Sequence, residues 1–249
     1  GGLVKQGEGV LTLSGTNTYS GATTINSGTL GLAGGTALAD VGAVQIAAGA
    51  TLELQASETI GSLSGVAGSS VDLGANTLTT GGNGGSTEFG GAIAGTGSLV
   101  KAGAGSLTLS GENTFTGSAT VAAGALTLVN GAALADAAAV TVAAGATLDL
   151  HDSETIGSLS GAGTVQLGAS TLTAGGDNSS TVFSGAITDL SFVYIGSWDV
   201  YGGEVWTSNP RVYTGQEAAA LLFGGDPASY QISTISADPE DINNRAFLD

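Results

Sequence analysis

A reactive centre in this chain would have to be built from very few parts. There is one histidine, His151, with no cysteine and no methionine, and 21 acidic residues stand against 4 lysines and arginines. Without a thiol there is no cysteine nucleophile and no thiolate metal site, and a Ser-His-Asp arrangement would have to use His151. The residue that matches His151 in an earlier copy of the same stretch is Gln55. The position therefore needs no imidazole, and His151 is read as a solvated turn residue. A lone histidine also cannot build a histidine-based metal cluster. GSLSG at 61–65 and 157–161 carries its serines second and fourth, not at the centre as a nucleophile elbow requires. No phosphate-cradling loop ending in Gly-Lys-Ser/Thr occurs.

Paired carboxylates could cut a glycosidic bond, and Asp149, Asp152 and Glu154 lie close in sequence, as do Asp199 and Glu204 around Gly202-Gly203. Asp40, Glu58 and Glu154, however, recur singly, which reads as solubilising surface decoration. GGNGGSTEF and GGDNSSTVF look like the glycine-rich calcium nonapeptide but lack its aspartate. DPEDINNRAFLD lacks the glycine and spacing of an EF-hand loop. No catalytic residue, cofactor or metal ligand is assigned, and loosely held calcium is the only cation allowed for. The aromatic cluster Trp198, Tyr201, Trp206 and Tyr213, with Asp199 and Asn209 nearby, could stack on a sugar or contact another chain. The favoured reading is that it forms the core of a small module, which needs large side chains. Thr or Ser precedes an apolar residue at 12, 29, 51, 77, 98, 108, 147 and 171. Stacked, these would form an outward ladder able to meet a lattice, but Thr is also a favoured solvent-facing strand residue.

The elements that must position these groups follow from a repeat. Residues 11–30, LTLSGTNTYSGATTINSGTL, return 96 positions later as LTLSGENTFTGSATVAAGAL. SETIGSLSG occurs verbatim at 57–65 and 153–161, and after a two-residue contraction Phe89 matches Phe183 and Ile93 matches Ile187. Residues 1–96 and 97–190 are thus two copies of one unit. Within each copy apolar residues alternate with small polar ones, as in Leu11/Leu13 and Leu52/Leu54, which is the period of a strand with one buried face. The 44 glycines, with Asn and Ser, punctuate the strands as turn residues.

Leu11, Leu30, Leu52, Leu73 and Ile93 step by about twenty residues, as do Ile25, Val44 and Leu63. That step predicts one coil of a parallel β-solenoid, about five coils per copy and a rod about 45–50 Å long. A β-sandwich explains the alternation but not the long tandem unit. From 191 to 249 the composition changes. Both tryptophans and all three prolines fall there, Thr214 and Glu217 open a helix through Phe223, and Asp238-Pro239-Glu240-Asp241 resembles a second helix start. YQIST reads as a strand and VYGGEVW as a hairpin. The fold class expected is all-β, a right-handed parallel β-solenoid (β-helix) of about ten coils followed by a small α+β module.

GEGVLTLSGTNTYSGATTINSGTLGL resembles the passenger-associated repeat of bacterial autotransporters and related surface proteins, closely over 1–32 and 97–128 and more loosely elsewhere. The resemblance implies a right-handed β-helical stalk, exported and displayed outside the cell, with no catalytic residue to transfer. The YTGQEAAALLFGG and DINNRAF elements resemble a module of secreted bacterial proteins to which no activity attaches. The chain begins GGLVKQ, without Met or a leader, so it reads as a mature or excerpted piece, and it departs from an autotransporter in lacking the amphipathic strands of a terminal β-barrel.

A net charge of −17 argues against nucleic acid and anionic membrane surfaces, and no run of eighteen apolar residues is present to span a bilayer. The function expected is an extracellular or cell-surface structural solenoid, the stalk or subunit of a bacterial adhesin or biofilm-matrix fibre, self-associating end to end. The alternatives are a polysaccharide-binding module carried on the stalk and, less favoured, a polysaccharide-cleaving β-helix.

Overall fold

A computed structural model describes residues 1–189 together with 193–197, 230–234 and 244–248. The chain divides into two compact units, Gly1–Asp189 and Leu190–Asp249. The first unit is a three-sided parallel β-solenoid. Its first face is a ten-stranded sheet of β1 (Leu3–Lys5), β3 (Thr23–Ile25), β5 (Ala43–Ile46), β8 (Ser62–Gly65), β11 (Thr87–Phe89), β14 (Ser106–Leu109), β16 (Ala125–Leu128), β18 (Thr147–Leu150), β21 (Thr164–Gln166) and β23 (Ala186–Thr188). Ten stacked rungs enclose about nine turns. The second face carries β2 (Val10–Leu13), β4 (Thr29–Leu32), β6 (Thr51–Leu54), β9 (Ser70–Asp72) and β12 (Ala92–Ala94). The third carries β7 (Glu58–Ile60), β10 (Thr77–Thr80), β13 (Ser98–Lys101), β15 (Ala119–Val121), β17 (Ala139–Val142) and β20 (Ser158–Gly161). β19 (Glu154–Ile156) and β22 (Leu172–Ala174) pair with each other and, by chain order, continue the second face.

Period-two strands point every second side chain inward, and the apolar members are buried. Leu30, Leu52, Val71 and Ile93 are all fully buried and lie in register on the second face, with Leu11 at its start. The expected row is thus right in kind but takes Val71 where Leu73 was read. On the first face Val44 and Leu63 are neighbours as read, but their partner below is Thr23 rather than Ile25. Both corrections are slips of two residues, which keep the inward face. They arise because a turn takes between 17 and 24 residues, measured from Leu148 to Val165 and from Gly65 to Phe89.

The two copies are not stacked in phase. Leu99 matches Leu3, yet Leu3 lies on the first face and Leu99 on the third. Leu107 matches Leu11, yet Leu11 lies on the second face and Leu107 on the first. Four turns separate β1 from β11, and β13 lies two faces further along. One 96-residue copy therefore winds through four and two-thirds turns, not five, and its successor is rotated by two faces.

In the second unit β24 (Val193–Ser197), β26 (Asn244–Leu248) and β25 (Tyr230–Thr234) form an antiparallel sheet in that order. YQIST is the strand the sequence predicts. The proposed helix start at 238–241 lies outside the described residues, and Asn244–Leu248 beyond it is strand β26. The helix at 214–223 and the VYGGEVW hairpin lie outside the described residues.

Candidate functional site

Each copy places the same set of polar side chains against the turns of the solenoid, all of them buried except the half-buried Asn17. Lys101 points inward from the end of β13 and is 1% exposed. The chain then turns through Ala-Gly-Ala-Gly, with Gly103 at φ 68°. The ammonium of Lys101 donates to the carbonyls of Ala102, Gly103 and Ala123 at 2.6, 2.9 and 3.1 Å. Lys5, at the matching position before Gln-Gly-Glu-Gly, donates to Gln6, Gly7 and Ser27 at 3.2, 2.6 and 2.9 Å. Three donors meet three carbonyls, so the charge is solvated by backbone dipoles. Burial pulls the Lys101 pKa below its ordinary value.

The second element sits where two successive turns have no strand on one face. There Asn113 donates to the carbonyls of Gly111 and Ala133 at 3.2 and 2.7 Å and accepts from the Ile93 amide at 2.7 Å. One turn further, the carboxylate of Glu154 accepts from the amides of Ala133 and Leu134 at 3.2 and 3.1 Å. In the first copy Asn17 donates to Gly15 and Ala37, and Glu58 accepts from Ala37 and Leu38 at 3.1 and 2.7 Å. Side chains thus supply the partners that a ladder would otherwise give. Glu58 and Glu154 are buried, which corrects their reading as surface decoration. Their pKa values are raised by burial, opposed by the two amide bonds, with Asp40 or Asp136 adding to the rise.

The remaining sequence candidates are scattered. His151 is on the surface, 3.2 Å from Asp149. Among the described residues no group of three or more His, Asp, Glu or Cys is placed to hold a metal ion. The Thr/Ser positions divide among faces: Thr12, Thr29 and Thr51 on the second, Thr77 and Ser98 on the third, Thr108 and Thr147 on the first. They do not make one ladder. Trp198, Tyr201, Trp206 and Tyr213 lie outside the described residues.

The repeated polar set was missed as an architectural device, although two of the four basic residues, each followed by x-Gly-x-Gly, stand at matching positions. What this arrangement does is hold turns to one another; it brings no acid, base and nucleophile together.

Comparison with known proteins agrees with that geometry. Residues 3–32 and 99–128 match the family described as Passenger-associated-transport-repeat. The chain is 36% identical over 197 residues to the adhesin BmaC autotransporter of Brucella suis biovar 1 (strain 1330), a match that covers 75% of this chain and 6% of the adhesin. The chain therefore spans a small fraction of that relative's length. No solved structure matches. The chain thus carries two matches to the passenger-associated-transport-repeat within one solenoid and is similar over most of its length to part of an autotransporter adhesin.

Proposed function

We propose that the chain is a secreted or cell-surface structural segment of adhesin type, whose work is to extend and to be extended, and not to catalyse. One observation carries this reading. Each end of the solenoid exposes what the interior buries at the matching position. Leu11 is 37% exposed while Leu107 is 1% exposed, and Ile187 is 56% exposed while Ile93 is 0% exposed. Within the chain, β13 and β14 stand on β10 and β11. Residues 171–188 repeat the sequence of 77–94, and β1 and β2 repeat that of β13 and β14. The lower edge of one chain therefore matches the upper edge of another, or of neighbouring repeats in a longer polypeptide. Such a contact is heterologous and does not close, so it builds a filament. The similarity to an adhesin supports placing the segment outside the cell.

The test uses the geometry of β1. Leu3 donates to Ala22, so on a parallel strand the Val4 amide points to the open edge. Val4→Pro removes that outward donor while sparing the bonds to β3. The reading expects concentration-dependent, rod-like multimers of the purified chain by light scattering and electron microscopy, and their loss in Val4→Pro. Strict monomers at high concentration would contradict end-to-end stacking by this chain.

A further inference from the structure

A groove lies on the outer side of the first face, at the one place where that face loses its register. β8 and β11 are joined only at Gly65 and Phe89, across the 24-residue turn. Outside that break lies a cleft of about 660 Å³, within the size range of small-ligand sites. Thr24, Gln45 and Ser64 stack in register along its floor, and Asn26, Glu88 and Ser110 border it. Glu88 is engaged, accepting from the Ser110 hydroxyl at 2.6 Å. Thr24, Asn26 and Gln45 have no side-chain hydrogen-bond partner among the described residues. Val66, 58% exposed, gives the rim an apolar patch.

The second copy supplies an internal control. It makes the same break, with Gly161 bridged to Phe183. There Asn26, Gln45 and Glu88 are replaced by Ala122, Thr141 and Val182. The solenoid therefore folds through this break without the amides and the carboxylate, so their presence in the first copy answers to something other than architecture.

We propose that the groove is a binding site for an extended, neutral polysaccharide chain. The unpaired Thr24 hydroxyl and Gln45 amide stand on adjacent rungs at a spacing of about 4.8 Å, comparable to one sugar residue along an extended glycan, and the Ser64 hydroxyl, which donates to the Val44 carbonyl at 3.3 Å, stands on the next. Hydroxyl groups of a sugar satisfy both donors and acceptors of such side chains, while its C–H face meets Val66. No lysine, arginine or histidine borders the groove and one carboxylate does, which selects against anionic glycans. The proposal draws on neither Trp198 nor Trp206 and does not depend on whether chains stack.

The test titrates the whole chain with cellohexaose, laminarihexaose and hexagalacturonate, followed by amide NMR shifts. At least one neutral hexamer should bind saturably, with shifts at residues 24, 45 and 64, and hexagalacturonate should bind at least ten-fold more weakly. The triple variant Asn26→Ala, Gln45→Thr, Glu88→Val installs the second copy's own residues. It should keep the native spectrum and lose binding at least ten-fold. Absence of saturable binding by both neutral hexamers, equal binding of hexagalacturonate, or unchanged binding by the triple variant would overturn the site. Binding abolished by Trp198→Ala with Trp206→Ala but kept by the triple variant would also overturn it, moving recognition to residues 191–249.

Discussion

Asn113 and Glu154 hold Ala133 between them. The amide of Asn113 donates to its carbonyl at 2.7 Å, and the carboxylate of Glu154 accepts its N–H at 3.2 Å. Three successive turns are joined on a face where two of them have no strand. Replacing Glu154 by Ala leaves the Leu134 amide unpaired in a buried site and leaves the Ala133 amide only its bond to the Asn130 carbonyl. We expect a loss of about 1–3 kcal/mol by urea denaturation, the cost of one unsatisfied buried amide. Asp149→Ala, half-exposed on the outer side of β18, should change stability by no more than about 0.5 kcal/mol.

The buried carboxyls make stability depend on pH. Glu58 and Glu154 have folded pKa values raised above the ordinary 4.5. The folded chain then binds these protons more readily than the unfolded chain, so their burial costs stability at neutral pH. That cost is relieved as pH falls through the raised values towards 4.5. The urea midpoint should therefore rise as pH falls from neutrality towards 4.5. The double variant Glu58→Gln, Glu154→Gln should show a shallower rise, and an unchanged slope would contradict this.

Lys101 is the sole described partner of three turn carbonyls, because no backbone amide bonds to Ala102, Gly103 or Ala123. Lys101→Met removes a buried charge but leaves those carbonyls facing one another. We expect the unpaired carbonyls to outweigh the relief of desolvation, with a loss of about 2–4 kcal/mol. A variant as stable as the parent would show that the charge is dispensable.

Gly91 lies where a methyl group would meet the carbonyl of Ser69 and the ring of Phe89. Phe89 is fully buried at the register break. Gly91→Ala should therefore cost about 1–3 kcal/mol by overpacking, measured as a fall in melting temperature.

Much of the fold could be read from residue order. The alternation in LTLSG and TLELQ specifies strands and their inward face, and the near-copy of residues 11–30 at 107–126 specifies tandem units. What could not be read is the length of each turn, because a loop such as GGNGGS adds residues without changing the alternation on either side. That is why Leu73 stood in for Val71, and why four and two-thirds turns read as five. The buried polar set was hidden for a different reason. A formal charge on Glu58 or Lys101 suggests solvent, and only the backbone of the neighbouring turn, which folding alone brings close, provides the partners that keep it inside.

The rotation between copies is the claim on which both the filament geometry and the separate groove depend, and the absence of cysteine makes it directly measurable. Glu88 and Thr108 are registered neighbours on the first face, within disulfide reach at adjacent-strand spacing. Glu88→Cys with Thr108→Cys should oxidise readily to an intramolecular disulfide, while Ala94→Cys with Thr108→Cys should not. If the copies were stacked in phase, β14 would stand on β12 and the second pair would cross-link in place of the first, which would contradict the account.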